Sequence, residues 1–333
     1  MTSRELRILA VGALLALVGA AGALFTATAG QAMVARGLDA VDAIAITVSD
    51  VDRAADFYSR VLFFERVSET TVSGPEWDAL FGVASVRART VTMRLGDERI
   101  ELTQFLGAPG RPLPAGSRSH DHWFQHIAVI VSDMDQAYAW LRRHRVDHIS
   151  PSPQRLPDWN PKAGGIEAFY FRDPDGHPLE ILRFPPDKGD ARWRRPTGRV
   201  FLGIDHTAIV VSDTARSVRF YRDVLGMRVA GESDNHGPEQ ERLSNVRGAH
   251  LRITTLRAAT GPGVELLEYV APTDGRASAG EMRATDLAAG RTIGTSSAPR
   301  ALLGELTTAG VAAERRQLLL RDPDGHLVHV RSR

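Results

Sequence analysis

Histidine and glutamate are the residues of this chain whose positions best suit chemistry. His126 and His206 each stand at the start of an apolar, β-branched stretch, and Glu180 and Glu265 lie inside later apolar stretches. A carboxylate buried without a partner is costly, so each glutamate needs a metal ion, an arginine or exposure to solvent. A histidine at the start of a buried strand is either a ligand or a hydrogen-bonded core residue. Because the chain has no cysteine, any metal must be held by imidazole and carboxylate.

The composition excludes several other kinds of function. The 41 Lys and Arg residues nearly balance the 40 Asp and Glu residues, so the chain has no general excess of positive charge for binding nucleic acid. One short basic run, at 192–195, holds a single tryptophan, and we predict a solvated linker there. The sequence contains no glycine pattern typical of nucleotide binding and no nucleophile elbow.

The first 30 residues are predicted to lie outside the folded part. Arg4 and Arg7 precede an uncharged apolar run, 8–25, and the small residues 27–29 follow it. This pattern is typical of a cleaved export signal, and the run is also long enough to be an uncleaved membrane anchor. In both cases we expect the folded part to be exported, as a periplasmic, extracellular or membrane-anchored protein.

The rest of the chain repeats itself. Residues 41–50 return in similar form at 204–213, a third copy begins at His126, and the hexapeptide Arg-Asp-Pro-Asp-Gly-His occurs at both 172–177 and 321–326. These repeats define four related modules, of which the fourth is the most divergent. Their approximate extents are 40–107, 122–185, 202–271 and 288–333.

Each module predicts the order βαβββ. An apolar strand ends at a Ser-Asp pair that can cap an amphipathic helix, and short strands follow. Asp-Pro-Asp-Gly between the last two strands is a tight hairpin turn. His177 and His326 follow this turn even in the divergent module, so we predict a structural role for them.

The combination of these features resembles the vicinal oxygen chelate superfamily, which includes glyoxalase I, extradiol dioxygenases and the bleomycin and fosfomycin resistance proteins. The resemblance rests on the βαβββ module, the histidine after Asp or Gln in the first strand, and Asp-Pro-Asp-Gly-His-x-x-Glu at the end, and it covers nearly everything after residue 40. It implies an α+β fold in which four modules pair into two half-open β-barrels. Along the chain, the implied division is 1–30 (signal or anchor), 40–185 (modules one and two), 186–201 (linker) and 202–333 (modules three and four).

The resemblance also implies where metal ligands would stand, on the first and last strands of each module. The corresponding residues are Ala43, His126, His206 and Arg291 on the first strands, and Glu101, Glu180, Glu265 and His329 on the last. Zn, Ni, Fe(II), Co or Mn suits such ligands.

Module pairing determines which ligands meet. If modules two and three pair, the implied set is His126, Glu180, His206 and Glu265. Modules one and four then have Ala43 and Arg291 at the histidine positions and lack a complete ligand set. If pairing is sequential, as in ring-cleaving dioxygenases, modules one and two supply Glu101, His126 and Glu180, and the best set is His206, Glu265 and His329. We favour the first arrangement because it gathers all the expected ligands in one place.

Three functions remain open. The first is glyoxalase I-like lyase or isomerase chemistry on a small molecule with vicinal oxygens, with Glu180 or Glu265 as the catalytic base. The second is extradiol ring cleavage, which needs two histidines and one carboxylate. The third is non-enzymatic sequestration of a drug or metabolite. All three predict a small-molecule ligand, no nucleic acid, and membrane contact only through the N-terminal segment.

Overall fold

The computed structural model describes residues 37–107, 109–277, 282–299, 313–314 and 317–333. The predicted export segment, 1–30, lies outside the described residues, so it stays a prediction. None of the helices in the described ranges is long and apolar enough to cross a bilayer.

The first module folds as its sequence predicts, with one additional short helix. Its first helix is capped by Asp50, whose side chain accepts hydrogen bonds from the backbone N–H groups of Asp52 and Arg53. The apolar side chains of that helix recur at helical spacing and are buried, which fixes the helix on its sheet. The elements are β1 (Ala40–Thr47), α1 (Val51–Leu62), β2 (Glu65–Ser73), α2 (Pro75–Phe81), β3 (Arg87–Leu95) and β4 (Glu98–Phe105).

The other modules follow the same plan. Asp133 and Asp213 cap the helices of modules two and three in the way that Asp50 does in module one. Module two contains β5 (Gln125–Val131), α3 (Met134–Arg143), β6 (Asp147–His148), β7 (Gln154–Arg155), β8 (Glu167–Arg172) and β9 (Pro178–Arg183). Module three contains β10 (Phe201–Val210), α4 (Thr214–Val218), β11 (Arg228–His236), α5 (Pro238–Ser244), β12 (His250–Arg257) and β13 (Gly263–Ala271). Module four contains β14 (Arg291–Ser296), β15 (Ala313–Glu314), β16 (Gln317–Arg321) and β17 (Leu327–Ser332).

The modules pair in a nested way. One sheet has the order β15-β16-β17-β14-β1-β4-β3-β2 and joins modules one and four. The other has the order β11-β12-β13-β10-β5-β9-β8-β6, with β7 paired to β8, and joins modules two and three. The favoured pairing is confirmed, and the sequential pairing is wrong. Segments 40–185 and 202–333 therefore each contribute half of both sheets and do not form separate barrels.

Neighbouring modules are linked by the repeated turn. Asp173 accepts hydrogen bonds from the ring Nδ1 of His177 (2.9 Å) and the hydroxyl of Tyr58 on α1 (3.3 Å). The Nε2 of His177 donates to the carbonyl of Leu287, also at 2.9 Å. In the second copy, Tyr221 donates to Asp322, and His326 donates to the carbonyl of Val210. The predicted structural role of these two histidines is confirmed.

One apolar cluster connects the two sheets. It includes Ile44 on β1 and Tyr58 on α1 from one side, and Ile127 on β5, Leu141 on α3 and Phe171 on β8 from the other. Each of these side chains is at most 3% exposed. Burying a large apolar side chain stabilises a fold by about 1.5–3 kcal/mol, so this cluster holds the sheets in a fixed relation.

Candidate metal centre

The two histidines of interest lie on neighbouring strands at the centre of the second sheet. Strands β5 and β10 are antiparallel, with His206 opposite Ala128 and Ala208 opposite His126. Residues two apart on a strand share a face, so both imidazoles project to the same side of the sheet. Their ring centroids are 5.7 Å apart.

Two glutamates join them from the flanking strands. Glu180 on β9 is paired with Ala128, and Glu265 on β13 is paired with Ala208. An Oε2 of Glu180 lies 3.2 Å from the Nε2 of His126 and 3.6 Å from the Nε2 of His206. The Oε2 of Glu265 is 3.3 Å from the same nitrogen of His206. The sheet thus brings together all four residues of the first predicted set.

Three of the four residues form a compact cluster that fits a metal ion. One ligand atom each from His126, Glu180 and His206 lies within 4.8 Å of the others, and all three residues are buried. The Nε2 of His126 is too poorly aligned with Glu180 for a hydrogen bond, and neither of its ring nitrogens has a hydrogen-bond partner among the described residues. A buried imidazole without partners is costly, and a divalent cation would satisfy it together with the carboxylate.

His206 is held by a network of charged and polar groups. Its Nδ1 is 3.1 Å from Asp205, and Arg257 donates to both oxygens of Asp205 at 2.8 Å. Burial lowers the pKa of His206, but the carboxylates of Glu265, Asp205 and Glu180 outweigh it and raise the pKa to about 9. Burial raises the pKa of Asp205, but His206 and Arg257 hold it well below its usual value.

Glu265 differs from Glu180 in its surroundings. The side chain of Glu265 is 20% exposed and that of Glu180 only 5%. Thr255 on the adjacent strand donates a hydrogen bond of 2.7 Å to Oε1 of Glu265, which leaves Oε2 directed at His206. Glu265 is therefore the more accessible of the two carboxylates.

The cluster lies in a cavity of about 590 Å³. The cavity is lined by β5 and by strands β8 to β13, together with helix α5 and segments of 156–166 and 188–190, so the sheet must curl around it. Tyr170 on β8 borders both the cavity and His126, with ring centroids 4.9 Å apart. Burial and the nearby charge of Glu180 raise the pKa of Tyr170 well above 10, so this phenol keeps its proton. The walls carry both apolar side chains, including Leu156, Leu182, Ile253 and Leu267, and charged ones, including Lys188, Arg228 and Glu232.

The alternative set with His329 does not assemble. His329 lies on β17 of the first sheet, where Gln317 is its hydrogen-bond partner at 2.8 Å. Glu101 lies in that sheet too, and Arg331 donates to both its oxygens at 2.8 Å. Since His206 and Glu265 belong to the other sheet, the triad of His206, Glu265 and His329 is wrong.

Sequence reasoning missed the residues that support His206. The basic run at 192–195 was predicted to be solvated, which is wrong for Trp193: its side chain is buried and its Nε1 donates to Asp205 at 3.3 Å. The signal was a single tryptophan among arginines, since an exposed linker has little reason to carry a large apolar ring. Nothing in the sequence distinguishes Arg257 from other arginines.

Comparisons with known proteins show what the chain is similar to. A sequence model of the Glyoxalase/Bleomycin resistance protein/Dioxygenase superfamily matches residues 40–181 and 203–294. The chain is 33% identical over 156 residues to a 2-epi-5-epi-valiolone epimerase from an Actinomyces species, covering 45% of this chain and 81% of that protein.

Two glyoxalases extend the comparison. The chain is 23% identical over 183 residues to a lactoylglutathione lyase from Arabidopsis thaliana, a match that covers 55% of this chain and only 53% of that relative. The structure is also similar to that of glyoxalase I from Zea mays, with a TM-score of 0.58 and 15% identity. That match covers 88% of this chain and 92% of the maize chain, and at this identity it shows a common fold.

Proposed function

Because the chain belongs to the Glyoxalase/Bleomycin resistance protein/Dioxygenase superfamily, we propose that it is a metal-dependent isomerase or lyase acting on a small molecule with two vicinal oxygens. The observation that carries this proposal is the buried cluster of His126, Glu180 and His206 with Glu265 beside it. These four residues would hold Zn, Ni, Fe(II), Co or Mn, all of which accept imidazole and carboxylate. When bound, such an ion is a Lewis acid that polarises the oxygens of a substrate.

Glu265 is the residue best placed to move a proton. It faces the cavity, is partly exposed, and is oriented by Thr255. We assign it the removal of a proton from the hydroxyl-bearing carbon next to a substrate carbonyl and its delivery to the former carbonyl carbon, while the hydroxyl proton passes to the former carbonyl oxygen. Glu180, enclosed between two imidazoles, keeps a fixed position instead.

The cavity supports a small substrate. Its volume of about 590 Å³ falls within the range of ordinary small-molecule sites, which is roughly 300–1,000 Å³. Leu182, Ile253 and Leu267 place apolar surface beside the carboxylates, which strengthens electrostatic interactions there. The similarity to proteins named as a lyase and an epimerase supports the same class of reaction.

We also propose that the protein is exported, as a cleaved or an anchored form, on the strength of residues 1–30. An export location argues against a glutathione adduct as the substrate, because that thiol is mainly cytosolic. A reporter enzyme active only outside the cytoplasm, fused after residue 40, tests this: an inactive fusion contradicts export.

The main experiment measures metal content and proton transfer in the full chain. We expect about one divalent ion per chain by elemental analysis, and metal-dependent exchange of a substrate C–H proton in D₂O across a panel of α-hydroxyketones, followed by NMR. Glu265→Gln should abolish exchange while metal remains bound. Glu268→Gln is the matched control, because Glu268 lies on the same strand and pairs with Arg252 instead. A protein without stoichiometric metal, unaffected by His206→Ala, would instead be a sequestering protein.

A second candidate is ring cleavage by oxygen. The tightest part of the cluster, His126, His206 and Glu180, is a set of two imidazoles and one carboxylate, which suits Fe(II) oxygenases. Oxygen uptake with catechols as probes distinguishes the two functions. Under this candidate, Glu265→Gln retains activity, whereas under the first it does not.

A further inference from the structure

The two histidines of the candidate metal centre are supported very unequally. His206 is 3.1 Å from Asp205, a residue that is only 3% exposed. Arg257 and Trp193 both donate to that carboxylate, so its orientation is fixed from two sides. His126 has no comparable support, and its Nδ1 has no hydrogen-bond partner in the described part of the chain.

The support of Asp205 comes from the linker between the two halves of the chain. Trp193 lies in a 3₁₀ turn, Ala191–Arg194, and its ring is 9% exposed. The guanidinium of Arg192 lies 3.9 Å from the centre of this ring. Arg192 in turn donates to Oε1 of Glu98 at 2.5 Å, and Glu98 belongs to β4 of the other sheet. The linker is therefore held by both sheets.

The strand that carries His206 is shaped to receive this turn. A Cβ at Gly203 would collide with the Glu98 carboxylate and the Trp193 ring, so only glycine allows the close approach. Oε2 of Glu98 accepts a hydrogen bond of 3.1 Å from the backbone of Ile204. The pairing of β10 with β5 is irregular between Ile204 and His206, as expected for a bulge that re-aims a side chain. Asp205 stands at this irregularity, next to His206.

We propose that Trp193 is a positioning residue of the metal centre. Together with Arg257 it fixes Asp205, which accepts the Nδ1–H of His206 and so presents the Nε2 of that ring to the ion in one tautomer and one orientation. This inference rests on the proposed metal-dependent function. It assigns the linker, 186–201, a part in metal binding, and it makes His206 the pre-oriented ligand and His126 the adaptable one.

The expected effect is that of other groups that orient a metal-binding histidine. Loss of such a partner typically weakens metal affinity about 10- to 100-fold. Trp193→Phe keeps an aromatic ring and removes the N–H that Asp205 accepts together with the five-membered ring that carries it, so we expect about a tenfold weaker affinity. Asp205→Asn changes the acceptor itself and should have the larger effect, near 100-fold.

The test is competition of the metal-loaded full chain with a chelator, using Co²⁺ and Zn²⁺ as probes. Trp140→Phe is the matched control, since its N–H donates to the carbonyl of Val61 on α1. We expect affinity within twofold of wild type for this control. Equal affinities for wild type, Trp193→Phe and Asp205→Asn would overturn the inference.

A double-mutant cycle separates positioning from a general structural effect. If Trp193 acts through His206, then Trp193→Phe should have no further effect on metal affinity in a His206→Ala background. The Co²⁺ absorption spectrum at saturation should also change in Trp193→Phe and stay as in wild type in Trp140→Phe. Additive losses of affinity with an unchanged spectrum would mean that the tryptophan only stabilises the fold. If wild type itself binds no metal, the proposed function fails first, and this inference fails with it.

Discussion

The two sheets carry the same four positions, filled with different residues. In the sheet of modules two and three, His206 is opposite Ala128, and the glutamates are registered with Ala128 and Ala208. In the sheet of modules one and four, Ala43 is opposite Ile293, Ala45 is opposite Arg291, and Glu101 and His329 are registered with Ala45 and Ile293. These four positions match residue for residue in their strand register. At them, the two sheets differ only in which side chains they carry.

The chemistry differs in how carboxylates are neutralised. In modules two and three, Glu180 faces the imidazole of His126 and Glu265 faces that of His206. In modules one and four, the guanidinium of Arg331 forms an ion pair with Glu101 and donates to both of its oxygens. Arg291 lies buried at the position of His126, and its guanidinium contacts Thr47 and the carbonyl of Ala284. Burial lowers the pKa of Arg291 to about 10. One sheet thus sets its carboxylates against imidazoles, and the other sets Glu101 against arginine.

Replacing one histidine in each sheet should have very different effects on the stabilisation of the protein by Zn²⁺, and this is the largest contrast that we expect. Zn²⁺ at about 100 times its dissociation constant stabilises a folded protein by about 2.7 kcal/mol. We expect His206→Ala to lose this stabilisation, and a chelator to remove it from wild type. His329→Ala should retain it, because His329 lies in the other sheet and is hydrogen-bonded to Gln317. Thermal unfolding with and without Zn²⁺ measures both, and equal losses in the two variants would contradict the comparison.

Breaking the ion pair between Arg331 and Glu101 should test how the sheet of modules one and four stabilises its buried carboxylate. Arg331→Met leaves Glu101 without its partner, and because Arg331 is about one-third exposed we expect a loss of about 1–3 kcal/mol in the free energy of unfolding. Adding Glu101→Gln should restore part of that loss. Urea denaturation measures both changes. A double variant as unstable as the sum of the single ones would show that the pair does not act as a unit.

The first aspartate of the Asp-Pro-Asp-Gly-His turn should contribute differently to stability in its two copies, and this contrast is smaller. Burial raises the pKa of Asp173, but the charge and hydrogen bond of His177 outweigh it, and the pKa is lowered. At Asp322 burial prevails and the pKa is raised. We therefore expect Asp173→Asn to cost about 1.5–3 kcal/mol and Asp322→Asn about 0.5–1.5 kcal/mol at pH 6, measured by urea denaturation. Equal losses in the free energy of unfolding for the two variants would mean that His177 does not strengthen the contribution of Asp173.

The pH dependence of that contrast has a definite sign. The stabilising effect of Asp173 is present above its unfolded pKa of 3.8 and is lost as the pH falls through its lower folded value. Burial lowers the pKa of His177, but Asp173 more than compensates and raises it above 6.5, so its contribution is lost as the pH rises through that folded value. We expect the cost of Asp173→Asn to be largest between about pH 4 and 6.5, and to diminish at pH 9. A cost that is constant from pH 4 to 9 would contradict this coupling.

The repeats explain why so much of the fold was predictable. The fold is specified by local signals: Ser-Asp caps, the Asp-Pro-Asp-Gly turn and apolar strands. Each determines the structure of residues only a few positions away in the sequence. The candidate site follows from the same repetition, because His126 and His206 occupy matching places in two modules. Its metal ligation stays a prediction that the metal analysis above tests.

The supporting groups could not be predicted in the same way. Asp205 is oriented by Arg257, 52 positions away along the chain, and by a tryptophan from the linker. Arg331 reaches Glu101 across 230 positions. Such contacts depend on how strands are placed in three dimensions. Apart from the single tryptophan among the arginines at 192–195, no residue type or spacing in the sequence indicates them.

The nested pairing of the modules has a consequence for how the chain can fold as it is synthesised. Modules two and three are consecutive, so their sheet can close as soon as residue 271 has emerged. Strand β1 is made first, yet one of its two neighbours, β14, is made almost last. Until then the apolar β1 has an open edge, which is a template for unwanted strand pairing. A chain that stalls or is cut before Arg291 would thus keep the complete sheet of modules two and three and expose the unpaired edge of β1. The chain therefore remains open to unwanted strand pairing until its last few dozen residues are made.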